Sequence, residues 1–229
     1  MKLDREIILT LSVFLSAMAA PISGYSYAYN PDTAMTGDGV LSINPFIWAP
    51  SFNPLAAGGD LIAEYGLSAN IDMAADFADV AFTPAAYNFS WAMIRYDFGL
   101  NNIAALQAGQ YFISPQYHFF LENNTWALEA NALAIFFYTN LYNPAFGAYL
   151  APVYKIVKDL FYVYLEFDPF YTTGPEGGFT LTVLPGIWYS FGDAGQVSIA
   201  AALGNVTGKF SPGASLWYSV SFNLKPAVK

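Results

Sequence analysis

Short stretches of this chain alternate between apolar residues and small or polar ones, and no other feature narrows its fold as much. In residues 216–224 one face reads Leu216, Tyr218, Val220, Phe222 and Leu224. The other reads Trp217, Ser219, Ser221 and Asn223. Along residues 160–170, Phe161, Val163, Leu165 and Phe167 oppose Tyr162, Tyr164, Glu166 and Asp168. Along 71–77, Ile71, Met73, Ala75 and Phe77 oppose Asp72, Ala74 and Asp76. A repeat of two residues is the signature of a β-strand with two unlike faces. A soluble β-sandwich alternates too, but it carries charge on its outer face. Here charged residues make up 11% of the chain and hydrophobic ones 55%. Soluble domains carry about 25% charged residues. The polar face is therefore too poor in charge to be a solvated exterior. The pattern predicts strands whose apolar face meets lipid and whose small or polar face lines an interior.

Composition removes several other readings. Eight Lys+Arg against 17 Asp+Glu give a net charge of −9, which repels nucleic-acid phosphate. There is no cysteine, hence no disulfide, thiolate metal site, cysteine nucleophile or lipoprotein anchor. A membrane-spanning helix needs about 20 predominantly apolar residues. Beyond residue 28 the longest uncharged stretch, 130–154, contains Asn131, Asn140, Asn143, Pro144 and Gly147, which do not suit a helix in lipid. Aromatics recur near the expected strand ends, among them Trp48, Tyr65, Trp91, Trp126, Tyr171 and Phe191. Membrane barrels place their interfacial girdles there.

Residues 1–28 read as an export signal. An apolar run from Ile7 to Ala20 ends at Pro21 and Gly24, too short to span a bilayer as a helix. Ser26-Tyr27-Ala28 is the preferred cleavage site over Ala17-Met18-Ala19. Lys2 and Arg5 are offset by Asp4 and Glu6, so the leading segment is less positive than usual. Residues 29–38 form a short N-terminal tail, and 39–229 a single barrel domain.

Tight turns are expected at 68–70, 100–102, 122–124, 157–159 and 192–195, and longer links at 49–59, 83–87, 139–146, 172–178 and 204–214. A further outer turn is placed at Ser114-Pro115-Gln116, because proline interrupts a strand ladder. The result is an all-β, transmembrane, antiparallel up-and-down β-barrel of twelve strands, with both termini periplasmic. Reading 103–122 as one long strand gives ten strands instead.

The segment Tyr65-Gly66-Leu67-Ser68-Ala69-Asn70-Ile71-Asp72 and the final strand, 216–224, resemble those of the outer-membrane β-barrel proteins of diderm bacteria. The chain departs from that pattern by ending Lys225-Pro226-Ala227-Val228-Lys229 rather than on an aromatic residue. The resemblance covers the whole chain after the signal as a pattern and points to no particular family. It implies the bacterial outer membrane, contact with outer-membrane lipid, and insertion by the barrel-assembly machinery.

Chemistry-bearing residues are few. His118 is the sole histidine. Ser114 shares its face but lies four residues away, about 13 Å along a strand, too far for a nucleophile–base hydrogen bond. No catalytic residue, metal site or cofactor is expected. The informative set is the inward charges, which face lipid only at high cost. Glu64, Asp72, Asp76, Arg95, Asp97, Glu129, Asn131, Lys155, Glu166 and Asp168 are predicted to line a pore. Arg95 and Asp97 are two apart and so share a face. This predicts a narrow channel, or porin, for small solutes with mild cation preference. The competing reading is a filled barrel that presents its outer loops, such as 140–146 and 205–214, without transport. An outer-membrane lipid enzyme ranks third.

Overall fold

The computed structural model describes residues 36–52, 55–77, 79–82, 85–88, 91–100, 102–174, 177–192, 195–204 and 210–224. The proposed signal, residues 29–35 of the tail and part of the 205–214 loop lie outside the described residues. Among those described there are fourteen strands: β1 (Val40–Phe52), β2 (Leu55–Ser68), β3 (Ile71–Asp76), β4 (Asp79–Phe82), β5 (Ala85–Asn88), β6 (Trp91–Asp97), β7 (Asn102–Gly109), β8 (Phe112–Glu122), β9 (Trp126–Phe137), β10 (Asn140–Val157), β11 (Phe161–Thr172), β12 (Gly178–Ser190), β13 (Gln196–Gly204) and β14 (Phe210–Asn223). β3 and β4 both pair with β2 and are two pieces of one stave. β5, paired to β4, and β6, paired to β3, make the next. Each stave hydrogen-bonds antiparallel to the one before it, and β14 returns to β1, so twelve staves close a barrel. Closure leaves every backbone ladder partnered, the condition for crossing lipid with strands. No helix long and apolar enough to cross a membrane occurs among the described residues.

Alternation sets the two surfaces. Along β6, Trp91, Met93 and Arg95 are buried while Ala92, Ile94 and Tyr96 are exposed. Ile47, Leu67, Met73, Leu106, Tyr154 and Phe222 are among the large apolar side chains on the outside. An exposed apolar face of this extent is not compatible with water; it faces lipid. Inside, three apolar clusters fill much of the space. One is built around Phe120, Tyr162, Tyr164, Leu184 and Trp188. A second contains Ile62, Trp91 and Met93, and a third Leu133, Ile135, Tyr149 and Phe170. Aromatic rings fill the space beside glycines on neighbouring strands, Tyr164 at Gly186 and Phe170 at Gly147. A Cβ at either glycine would run into the ring.

The seam is bonded like the rest of the wall. Leu41 pairs with Phe222 and Ser42 with Ser221. The two serine hydroxyls lie 2.7 Å apart, and the Leu224 amide donates to the Gly39 carbonyl at 2.9 Å.

Several sequence expectations are corrected. The turn between β7 and β8 lies at Gln110-Tyr111, not at Ser114-Pro115-Gln116. Pro115 sits inside β8 opposite Leu106 and faces outward, with the buried Ser114 and Gln116 flanking it. The β8–β9 register skips it, so its missing N–H costs a single ladder bond. This turn also rules out the ten-strand count. The 139–146 link is mostly strand: β10 begins at Asn140, and the extra residues are absorbed by a register shift between Asn140 and Ala145. The 49–59 link shrinks likewise, since β1 and β2 remain paired out to Phe52 and Leu55.

Candidate functional site

Two groups of ionisable side chains face each other inside the barrel, and they differ in how they are satisfied. On the β2–β3–β6 side, Asp72 is directly opposite Arg95 in the β3–β6 register. Arg95 Nε donates to Asp72 Oδ1 at 2.7 Å and its Nη2 to Asp72 Oδ2 at 2.6 Å. The same Nη2 reaches Glu64 Oε2 at 3.0 Å. Two parallel N–H···O bonds to one carboxylate are the strongest form of this pair. Asp72 is 0% exposed and Arg95 5%. The segment just before β1 closes the cluster from within: the Thr36 backbone N–H donates to Asp72 Oδ2 at 2.7 Å, and its hydroxyl to Glu64 Oε2 at 3.0 Å. Gly66 makes this possible, because a Cβ there would strike the backbone of Thr36 and Gly37. The last residues of the expected tail therefore lie against the inner wall.

A band of neutral polar groups continues around the interior. Gln116 Nε2 donates to Gln107 Oε1 at 2.6 Å, and Asn131 Nδ2 donates to Gln116 Oε1 at 3.1 Å. His118 Nε2 lies 3.2 Å from that same Gln116 oxygen.

On the β9–β11 side the arrangement changes. Leu150 pairs with Phe167, which sets Tyr149 beside Asp168 and Ala151 beside Glu166 on the inner face. Across β9, Tyr149 pairs with Asn131 and Ala151 with Glu129. Only the small Ala151 stands between Glu129 and Glu166, and the two acids act on each other electrostatically. Glu166 is 0% exposed and Asp168 1%. Glu166 and Asp168 are hydrogen-bonded to each other, and neither carboxyl accepts a bond from any other group, while Glu129 Oε2 and Asn131 Oδ1 are buried without a partner. Lys155 does not serve them. Its Nζ donates to Glu122 Oε2 at 2.6 Å and lies 5.8 Å from the Tyr162 ring centroid.

Of the other predicted pore residues, Asp76 is buried on the inner face. Asp97 is only partly buried. Its Oδ1 accepts the Gly99 N–H at 2.6 Å and holds a turn, while Arg95, its expected neighbour in function, turns to Asp72. Sequence reading passed over Asp60, which accepts from Trp48 Nε1 at 3.0 Å, and Thr36, Gln107, Gln116 and Glu122. Asp60 carries the same parity as Glu64, and Gln116 the same as His118, so alternation was sufficient to find them. Thr36 carries no such signal, because it precedes the first strand. Among the described residues no three His, Asp or Glu side chains are grouped to hold one metal ion.

No protein-family model matches this chain, and neither does any curated sequence. Solved structures do. The crystal structure of the COG4313 outer membrane channel from Pseudomonas putida F1 superposes with a TM-score of 0.61 at 11% identity, covering 85% of this chain and 99% of that one. The fold is that of an outer-membrane channel barrel.

Proposed function

We propose that this protein is a narrow channel of the bacterial outer membrane that passes small solutes with a mild preference for cations. The shared fold with a protein described as an outer membrane channel supports the channel and its location, and favours transport over catalysis. The observation that carries the cation preference is the acid excess of the interior. Glu64, Asp72, Asp76, Glu129, Glu166 and Asp168 face Arg95 and Lys155 alone among the predicted pore residues, and the acids on β9 and β11 have no hydrogen-bonded cation. In this reading the tight-turn end, where Gly39 and Leu224 meet, is periplasmic. The outward apolar band contacts outer-membrane lipid, and β14 is the strand read by the barrel-assembly machinery.

A second reading, a filled barrel without transport, is favoured by one observation. Tyr162 and Trp188 stack at 4.7 Å between centroids and are each 1% exposed, so the interior at their level is packed. Reversal potential across a planar bilayer under a salt gradient separates the two. The channel reading expects a cation-selective potential at 0.1 M salt, where the Debye length is about 10 Å, fading near molar salt. Neutralising Glu129, Glu166 and Asp168 together reduces it. An anion-selective pore rejects the cation preference, and a barrel that folds but does not conduct supports the filled reading.

A further inference from the structure

We infer that Trp188 is the movable leaf of an aromatic gate that closes the lumen, and that conduction requires it to swing off Tyr162. The gate rests on the channel reading and names the side chain that controls passage. The strand registers place four inward aromatic rings in one row. Tyr162 of β11 pairs with Trp188 of β12, Trp188 with Ser198 of β13, Ser198 with Trp217 of β14, and Trp217 with Phe46 of β1. The row crosses five of the twelve staves. Tyr162, Trp188 and Phe46 are buried, and Trp217 packs half-buried against the same apolar cluster. An apolar constriction of this kind stops ions because water leaves it.

The two rings of the stack are held differently. Tyr162 is pinned: its hydroxyl accepts the Asp159 backbone N–H at 2.8 Å and donates to Asp159 Oδ1 at 3.4 Å. Trp188 is held by the stack itself, with centroids 4.7 Å apart and planes 17° from parallel, and by the apolar packing around it. Its indole Nε1–H is buried and finds no acceptor among the described residues. Ser198, directly opposite, has its hydroxyl 2.7 Å from that of Tyr164. Trp48 shows the satisfied alternative, its Nε1 donating to Asp60 at 3.0 Å. A buried donor without an acceptor destabilises the position that buries it, and the loss is recovered when the indole turns to reach water. Stacking favours the closed position and the orphaned N–H favours the open one. Opposed terms of similar size give a side chain with two positions, which is what a gate needs.

The test is single-channel recording of the full-length barrel refolded into a planar bilayer, beside Trp188→Phe and Trp188→Ala, each first checked for folding by heat-modified gel shift. Phenylalanine keeps the stack and has no N–H to satisfy, so open probability falls roughly tenfold. Alanine removes the leaf, and the long closures are lost. A tryptophan that only fills space changes stability in both variants and leaves the closures as they are. A Trp188→Phe barrel that opens as often as the wild type, or a folded Trp188→Ala barrel that keeps its closures, overturns the gate. If the alanine variant does not fold, the phenylalanine variant decides. A second arm does not depend on conduction. The chain has five tryptophans, and fluorotryptophan replaces them all for fluorine NMR. The resonance that vanishes in Trp188→Phe is doubled or broadened by exchange in the wild type, and a single sharp line there overturns the gate. Silence of all three barrels in the bilayer rejects the channel reading, and the fluorine signal then judges the leaf by itself.

Discussion

The β2–β3–β6 side and the β9–β11 side of the barrel carry the same kind of residue in opposite states. Each presents a carboxylate that is fully buried, Asp72 on one and Glu166 on the other. Asp72 receives two bonds from a guanidinium and one from a backbone N–H. Glu166 has only a second acid, Asp168, for a partner. What separates them is register. Arg95 stands directly across from Asp72, whereas Glu166 stands between Ala151 and Leu184. Burial alone thus says little about what a buried acid does. One side is an acid clamped by a cation, and the other is a pair of acids held against each other.

The contrast is broken most severely by Arg95→Met. It turns the clamp into a second group of acids without a cation, because Asp72 and Glu64 lose Arg95. Removing one partner of a buried pair costs about 3–5 kcal/mol, so the heat-modified gel shift of the refolded barrel should move to markedly lower temperature. Full retention of stability would show that the clamp does not hold the wall. The reverse change is smaller. Glu166→Gln with Asp168→Asn replaces the buried acid pair by neutral amides and should stabilise the barrel by roughly 1–2 kcal/mol, read by denaturant midpoint. Destabilisation there would mean that the two sides are alike after all. The smallest effect belongs to Thr36→Ala, which removes the hydroxyl bond to Glu64 and keeps the backbone bond to Asp72. A loss of about 0.5–1.5 kcal/mol is expected, measured the same way. A loss as large as that of Arg95→Met would make Thr36, not the arginine, the centre of the clamp.

Most of the wall was legible in the sequence because lipid outside and a crowded interior inside enforce a period of two. Parity alone assigns Tyr162, Tyr164, Glu166 and Asp168 to the interior, and the structure buries all four. Pro115 misled because the ladder-breaking rule takes no account of the face on which a proline lies. Pro45, Pro115, Pro152 and Pro185 all sit within strands and point outward. Which charge meets which was not legible. Parity brings Arg95 and Asp97 to one face, but the choice of Asp72 depends on the β3–β6 register. The choice of Glu122 by Lys155 spans β9, which lies between their strands. Pairing of this kind is decided across the sheet, and a linear sequence records only what runs along it.

The seam between β14 and β1 has a consequence for the order in which the chain is made. Once Leu224 meets Gly39, nothing in the wall marks where the gene begins. A circularly permuted chain, joined there by a short linker and opened between β9 and β10, encodes the same set of neighbours. Translation order therefore sets the schedule and not the shape. The first stave synthesised waits for the last, and through that interval both are bare edges able to pair with a foreign strand. The time the nascent protein spends half-closed, more than the strength of any single pair inside it, is the period of its life most in need of an escort.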